Sequence, residues 1–139
     1  MTRDLQRVCQ WQNDLFYGGA GDAQGRAPFD RYLFLVTALG SGYGGLEHRA
    51  STSLLCQRDT LPRRGDTGVS DDYRTFLGLA SHEYFHTWNV KRIKPAAFTP
   101  YDLTRENYTR QLWAFEGLTS YYDDLALLRS GVIDAESYL

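Results

Sequence analysis

The order of apolar and polar residues predicts a helix at the start of the chain, strands in its first half and two further helices in its second half. Leu5, Val8, Cys9, Leu15 and Phe16 fall near one face of a helix that Gly18 and Gly19 would stop. The run "RYLFLVTAL", residues 31–39, is apolar at both alternating positions and rich in β-branched and aromatic side chains. Its shortness favours a buried strand over a core helix. After the turn-rich "GSGYGG", residues 46–55 read as one or two more strands, and "QRDTLPRRGDTG" as a surface loop.

Ser70 followed by Asp71 and Asp72 gives a helix start, with an oxygen acceptor for free N–H groups and negative charge at the positive end of the helix dipole. Lys91, Arg92 and Lys94 favour its end, and Pro95 prevents continuation. Between these signals Phe76, Leu77, Leu79, Ala80, Tyr84, Phe85 and Trp88 surround nearly the whole helix, as expected of a buried one. A further helix is expected from near Asp102 or Thr104 to a stop at Gly131. The predicted fold class is α+β, a small sheet packed against an N-terminal helix and two long helices.

The buried helix contains "SHEYFHTW", residues 81–88, so His82, Glu83 and His86 sit where an unpaired polar group costs on the order of 1 to 3 kcal/mol. Residues four apart lie about 40° apart around a helix, so His82 and His86 project from one face and can share an ion. The H-E-x-x-H pattern supplies two ligands of a hydrolytic zinc site, which needs three and an open position for water. Glu116 is the candidate third, because Leu112, Trp113, Phe115, Leu118, Tyr121 and Tyr122 around it predict a dry setting where a carboxylate must pair, protonate or bind a cation. Antiparallel packing of the two helices would bring it to the histidines. Asn89, Ser120 and Asp123 are candidates to orient the imidazoles.

Composition narrows the classes. With 15 basic and 17 acidic residues and a net charge of −2, the chain carries no electrostatic footprint for nucleic acid or an anionic membrane. No apolar run reaches the roughly 18 residues of a bilayer span, and the polar start lacks the centre of a secretory signal, so a soluble chain of undecided compartment is expected. Cys9 and Cys56 fit free buried thiols. "GSGYGG" lacks the ending of a phosphate loop and reads as a turn.

"SHEYFHTWNVKRIKP" followed by "LWAFEGLTSYY" resembles the catalytic domain of the glycyl aminopeptidase family of zinc peptidases, in the gluzincin group. The earlier "FDRYLFLVTALGSGYGGLEHRASTSLL" is similar to the same family's segment before the metal helix, so the likeness spans most of residues 29–122. The resemblance implies a thermolysin-like lobe, one catalytic Zn²⁺, and removal of N-terminal residues, glycine or alanine favoured, from peptide substrates. His82, His86 and Glu116 match the family's zinc ligands and Glu83 its general base. "GGLEH", residues 44–48, resembles the G-A-M-E-N strand of related aminopeptidases, which makes Glu47 the expected anchor of the substrate's α-amino group. Gly44 and Gly45 would then admit substrate backbone, and His48 replaces an asparagine of those relatives. The "KRIK" run, residues 91–94, reads as a solvated helix end, although the likeness allows it a part in positioning substrate.

Family members continue into a helical lobe that closes the cleft and supplies a hydroxyl to the oxyanion, and many carry a later PDZ domain. The expectation is therefore a partial catalytic domain over 1–139, with helix and sheet in 1–69 and the active-site helices in 70–131, weakly active or inactive alone. A zinc endopeptidase of the same group and an inactive, zinc-stabilised peptide-binding module are the alternative readings.

Overall fold

The computed structural model describes residues 1–18 and 27–139. Among these the chain forms four α-helices and a three-stranded sheet, the α+β class that the sequence predicts. Helix α1 spans Thr2–Tyr17 and packs Val8 and Gln12 inward, while Leu15 is exposed. It closes on Gly18, whose N–H bonds Asp14 O, and Gly19 lies outside the described residues.

Strands β1 (Leu33–Leu39), β2 (Gly44–Glu47) and β3 (Ser51–Gln57) form a sheet of order β1-β3-β2. β2 turns back into β3 as an antiparallel hairpin, closed by His48 N–H donating to Ser51 O at 2.9 Å, and β1 runs parallel to β3. The register puts Phe34, Val36, Leu54 and Cys56 on one face, where they join the core. Leu33 and Leu35 point the other way and are exposed, so β1 is not buried on both faces as its sequence predicts. Only the inner face has a helix layer against it among the described residues.

That layer is centred on α2 (Asp71–Phe85), which contacts the sheet, α1 and α3 (Leu112–Arg129). Ser70 caps α2 by accepting from Tyr73 N–H, as its sequence predicts. Phe76, Leu77, Leu79 and Ala80 fill the core with Val8, Leu54, Ala126, Leu127 and Ile133. Cys9 and Cys56 are free, and burial pushes the Cys9 thiol up to about 12.

Two helix boundaries differ from expectation. α2 ends at Phe85, well before Pro95, because the chain tightens through Thr87 N–H to Tyr84 O and Trp88 N–H to Phe85 O. Arg92 then satisfies the carbonyls of Thr87, Arg49 and Pro28, and Lys94 lies over the ring of Tyr101, so "KRIK" is a folded turn and not a solvated helix end. α3 begins at Leu112, not near residue 102. Asp102 accepts from the backbone and hydroxyl of Thr104, and Asn107 bonds Asp102 O, so local side-chain bonds hold residues 102–107 away from helix. Its far end falls where the sequence places it: Gly131 adopts φ 69, with Gly131 N–H on Leu128 O and Val132 N–H on Leu127 O. A short helix α4, Ala135–Tyr138, follows. No described helix is long and apolar enough to cross a membrane.

Leu54 is fully buried on the sheet face that packs against α2. Leu54→Ala is expected to lower unfolding free energy by about 2 to 5 kcal/mol in urea denaturation. A loss under 1 kcal/mol would place the core elsewhere.

Candidate metal centre and cleft

α2 and α3 run antiparallel: Gly78 faces Asp124, Ser81 bonds Asp123, and Asn89 beyond the end of α2 bonds Phe115 and Thr119. This packing brings together the residues that the sequence singles out. Glu116 Oε2 lies 3.3 Å from His82 Nε2 and 3.5 Å from His86 Nε2. One ligand atom from each of the three falls within 4.8 Å of the others, the arrangement of groups that can hold a metal ion. His86 is the C-cap of α2 and retains helical φ and ψ, so the four-residue spacing still delivers both rings to one side.

The far nitrogens of both imidazoles are committed. His82 Nδ1 is 2.8 Å from Asp123 Oδ2, and His86 Nδ1 is 2.8 Å from the backbone oxygen of Asn89. Such bonds to Nδ1 leave Nε2 lone pairs facing Glu116. Of the three sequence candidates, Asp123 therefore orients His82 by its side chain and Asn89 orients His86 by its carbonyl. Ser120 is exposed and bonds neither ring. Asp123 lies seven residues after Glu116, two helical turns along the same face, which is the sequence signal that favours it.

Deeper connections fix these groups. Asn89 Nδ2 donates to Phe115 O and Thr119 Oγ1, tying the turn after α2 to α3. Ser81 Oγ donates to Asp123 O, and Gln12 of α1 donates to Ser81. Gln12, Ser81 and Thr119 are buried polar residues that pattern reading does not single out, because their partners are distant in sequence.

Glu83 points away from the ligand edge towards the sheet. It is 5% exposed, and its Oε2 finds no hydrogen-bond partner among the described residues. Burial, with the charges of Glu47 and Glu116 adding and those of His82 and Lys91 opposing, pushes its carboxyl up to about 7. Burial alone would lower the pKa of His82, but Asp123, Glu83 and Glu116 outweigh it and raise it. Two imidazoles among three carboxylates, one with an orphaned oxygen, form a donor set that a divalent cation fits. A cleft of about 270 Å³ opens beside them, lined by Tyr43, Gly44, Gly45, Gly78, His82 and Glu83 among others.

Gly44 and Gly45 differ in their surroundings. A Cβ at Gly44 would meet nothing within 4 Å, whereas one at Gly45 would overlap the carboxyl group of Glu83. Gly45 thus makes the space that Glu83 occupies. Glu47, on the same face of β2, pairs with Lys91 at 2.9 Å, an ion pair that the sequence does not reveal. His48 is exposed, and its ring makes no hydrogen bond among the described residues. Glu116 is half exposed, with Leu112, Trp113, Leu118 and Tyr121 exposed around it. The dry setting expected from these apolar neighbours is therefore absent: α3 is apolar on several sides, and among the described residues it packs chiefly through Thr119, Ala126 and Leu127. Tyr122 is a packing aromatic, stacked on Phe85.

The α+β fold thus sets an H-E-x-x-H helix against a glutamate-bearing helix, with three possible metal ligands beside a buried carboxyl. Residues 75–139 match the M61 glycyl aminopeptidase family. A crystal structure described as an aminopeptidase N family protein from Idiomarina loihiensis is similar at 50% sequence identity and a TM-score of 0.89, covering 99% of this chain and 22% of that one. No curated protein matches. Both likenesses agree with the resemblance that the sequence carries to the glycyl aminopeptidase family, and the chain spans about a fifth of the length of that structural relative.

Gly45→Ala is expected to destabilise the chain by about 1 to 3 kcal/mol in urea, since Glu83 or β2 must shift, while Gly44→Ala costs less than about 1 kcal/mol. Equal costs would mean that Glu83 does not rest on Gly45.

Proposed function

We propose that this chain carries the metal and base of a zinc-dependent aminopeptidase that removes N-terminal residues, glycine or alanine favoured, from peptides. The observation that supports this most directly is the convergence of His82 Nε2, His86 Nε2 and Glu116 Oε2 beside the buried carboxyl of Glu83. His82, His86 and Glu116 would hold the ion, which when bound supplies a Lewis acid that lowers the pKa of water and polarises a peptide carbonyl.

Glu83 is the general base: it takes a proton from the attacking water at its carboxylate and delivers it to the leaving amine nitrogen. A carboxyl raised towards 7 by burial can do both near neutral pH. Asp123 and the Asn89 carbonyl hold the two imidazoles in orientation. β2 is an edge strand among the described residues, so an extended peptide can add to it, with the open Gly44 allowing close approach.

Glu47 would receive the peptide's α-ammonium. It stands two strand positions from Gly45, where Glu83 rests, a separation of roughly 7 Å. That span accommodates one residue between an anchored ammonium and the bond under attack, which favours release of single residues. The same spacing leaves no room for a longer unprimed peptide unless Glu47 is bypassed.

Elemental analysis is expected to find one zinc per chain, lost on Glu116→Ala but kept in Glu83→Gln. Hydrolysis of glycyl- and alanyl-arylamides should fall at least about 100-fold in Glu83→Gln. Zinc in both forms with identical turnover would remove Glu83 from the mechanism. Asp123→Ala should weaken zinc binding by about 10- to 100-fold in a chelator competition. An unchanged affinity would mean that Asp123 does not support His82.

A further inference from the structure

The proposed chemistry leaves the ion pair between Glu47 and Lys91 without a task. Lys91 Nζ lies 2.9 Å from Glu47 Oε1, and each side chain is 22% exposed. Burial disfavours the Glu47 carboxylate, but the hydrogen bond and charge of Lys91 outweigh it and keep the group ionised. The pair joins the edge strand β2 to the turn that follows α2.

A lysine ammonium and the terminus of a peptide are the same chemical group, a primary ammonium with three donors and one positive charge. Lys91 therefore makes with Glu47 the contact that a peptide N-terminus would make. The two ammoniums do not sit together well. On one carboxylate they would be like charges at close range, and the neutral Glu47–Lys91 pair offers a second cation little net attraction.

Lys91 is also built to leave. Its ammonium rides on a flexible four-carbon stem, and the side chain has a solvent-facing side. Its neighbour Arg92 is held by the carbonyls of Thr87, Arg49 and Pro28, so the turn can stay in place while Lys91 swings out.

We propose that Lys91 is a specificity-determining residue: it occupies the ammonium position at Glu47 in the ligand-free protein and is displaced by a ligand that brings its own free amino terminus. This rests on the reading of Glu47 as the amine anchor. An acylated terminus carries no charge to replace Lys91 and leaves the pair closed. Until an amine replaces it, the same pairing spares Glu47 from being half-buried without a partner.

The test is an NMR titration of the chain in zinc-containing buffer with L-alaninamide and with N-acetyl-L-alaninamide. Lys91→Met and Lys91→Gln are expected to bind L-alaninamide roughly five- to tenfold more tightly than the parent chain, the scale of releasing a partly exposed ion pair. Binding of the acetylated probe should not change, Lys91→Arg should behave as the parent, and adding Glu47→Gln should erase the gain. If the free amine is preferred but Lys91→Met and Lys91→Gln bind it no tighter, Lys91 merely positions Glu47, and the inference fails while the amine-anchor reading stands. If no form prefers the free amine, the anchor reading fails and takes the inference with it.

Discussion

The placement of two imidazoles and a carboxylate in the most buried helix of the lobe is the constraint on which the rest of the structure turns. α2 has the sheet on one side and α1 and α3 on others, so nine of its fifteen residues are buried. Polar groups there must find partners, and the partners come from every neighbouring element. Asp123 of α3 takes His82, the backbone after α2 takes His86, and Gln12 of α1 takes Ser81. Each bond that satisfies a buried group also locks a helix, so the polar chain through the site contributes to the same packing that creates the need for it.

The sheet makes room for a carboxyl that the helices leave without a hydrogen bond at Oε2. Glu83 projects from α2 towards β2, where the absent side chain of Gly45 leaves room for its carboxyl. Its environment is dry enough to hold the carboxyl near 7 and open enough for the cleft to reach it. A glycine in an edge strand is thus tied to the state of an acid on a helix, and the same strand carries Glu47 two positions on. Glu47 and the carboxyl of Glu83 thus meet one backbone segment, β2, so their separation follows from strand geometry.

Much of the site is legible in the sequence because its signals are local. The H-E-x-x-H spacing alone puts two imidazoles on one helix face, and Glu116 stands out as a carboxylate in an apolar helix. Ser70 and Gly131 mark helix ends through their own backbone chemistry, and both do so in the structure. The errors are equally physical. The basic run 91–94 looks like a helix end, but Arg92 and Lys91 find carbonyl and carboxylate partners that only the fold brings near. The apolar neighbours of Glu116 predict a dry pocket, yet periodicity does not say which sides of α3 are covered, and here several are open.

The sequence by itself therefore determined the residue types that can do metal and proton chemistry, their helical spacing, and the family they resemble. It did so because periodicity and ligand spacing act over a few residues. Only the tertiary structure decided that Asp123 and the Asn89 carbonyl orient the rings, that Gly45 houses Glu83, and that Lys91 sits on Glu47. Those contacts join residues 30 to more than 40 positions apart, or depend on where a helix stops, and such pairings are settled by how buried polar groups share the available partners when the helices pack.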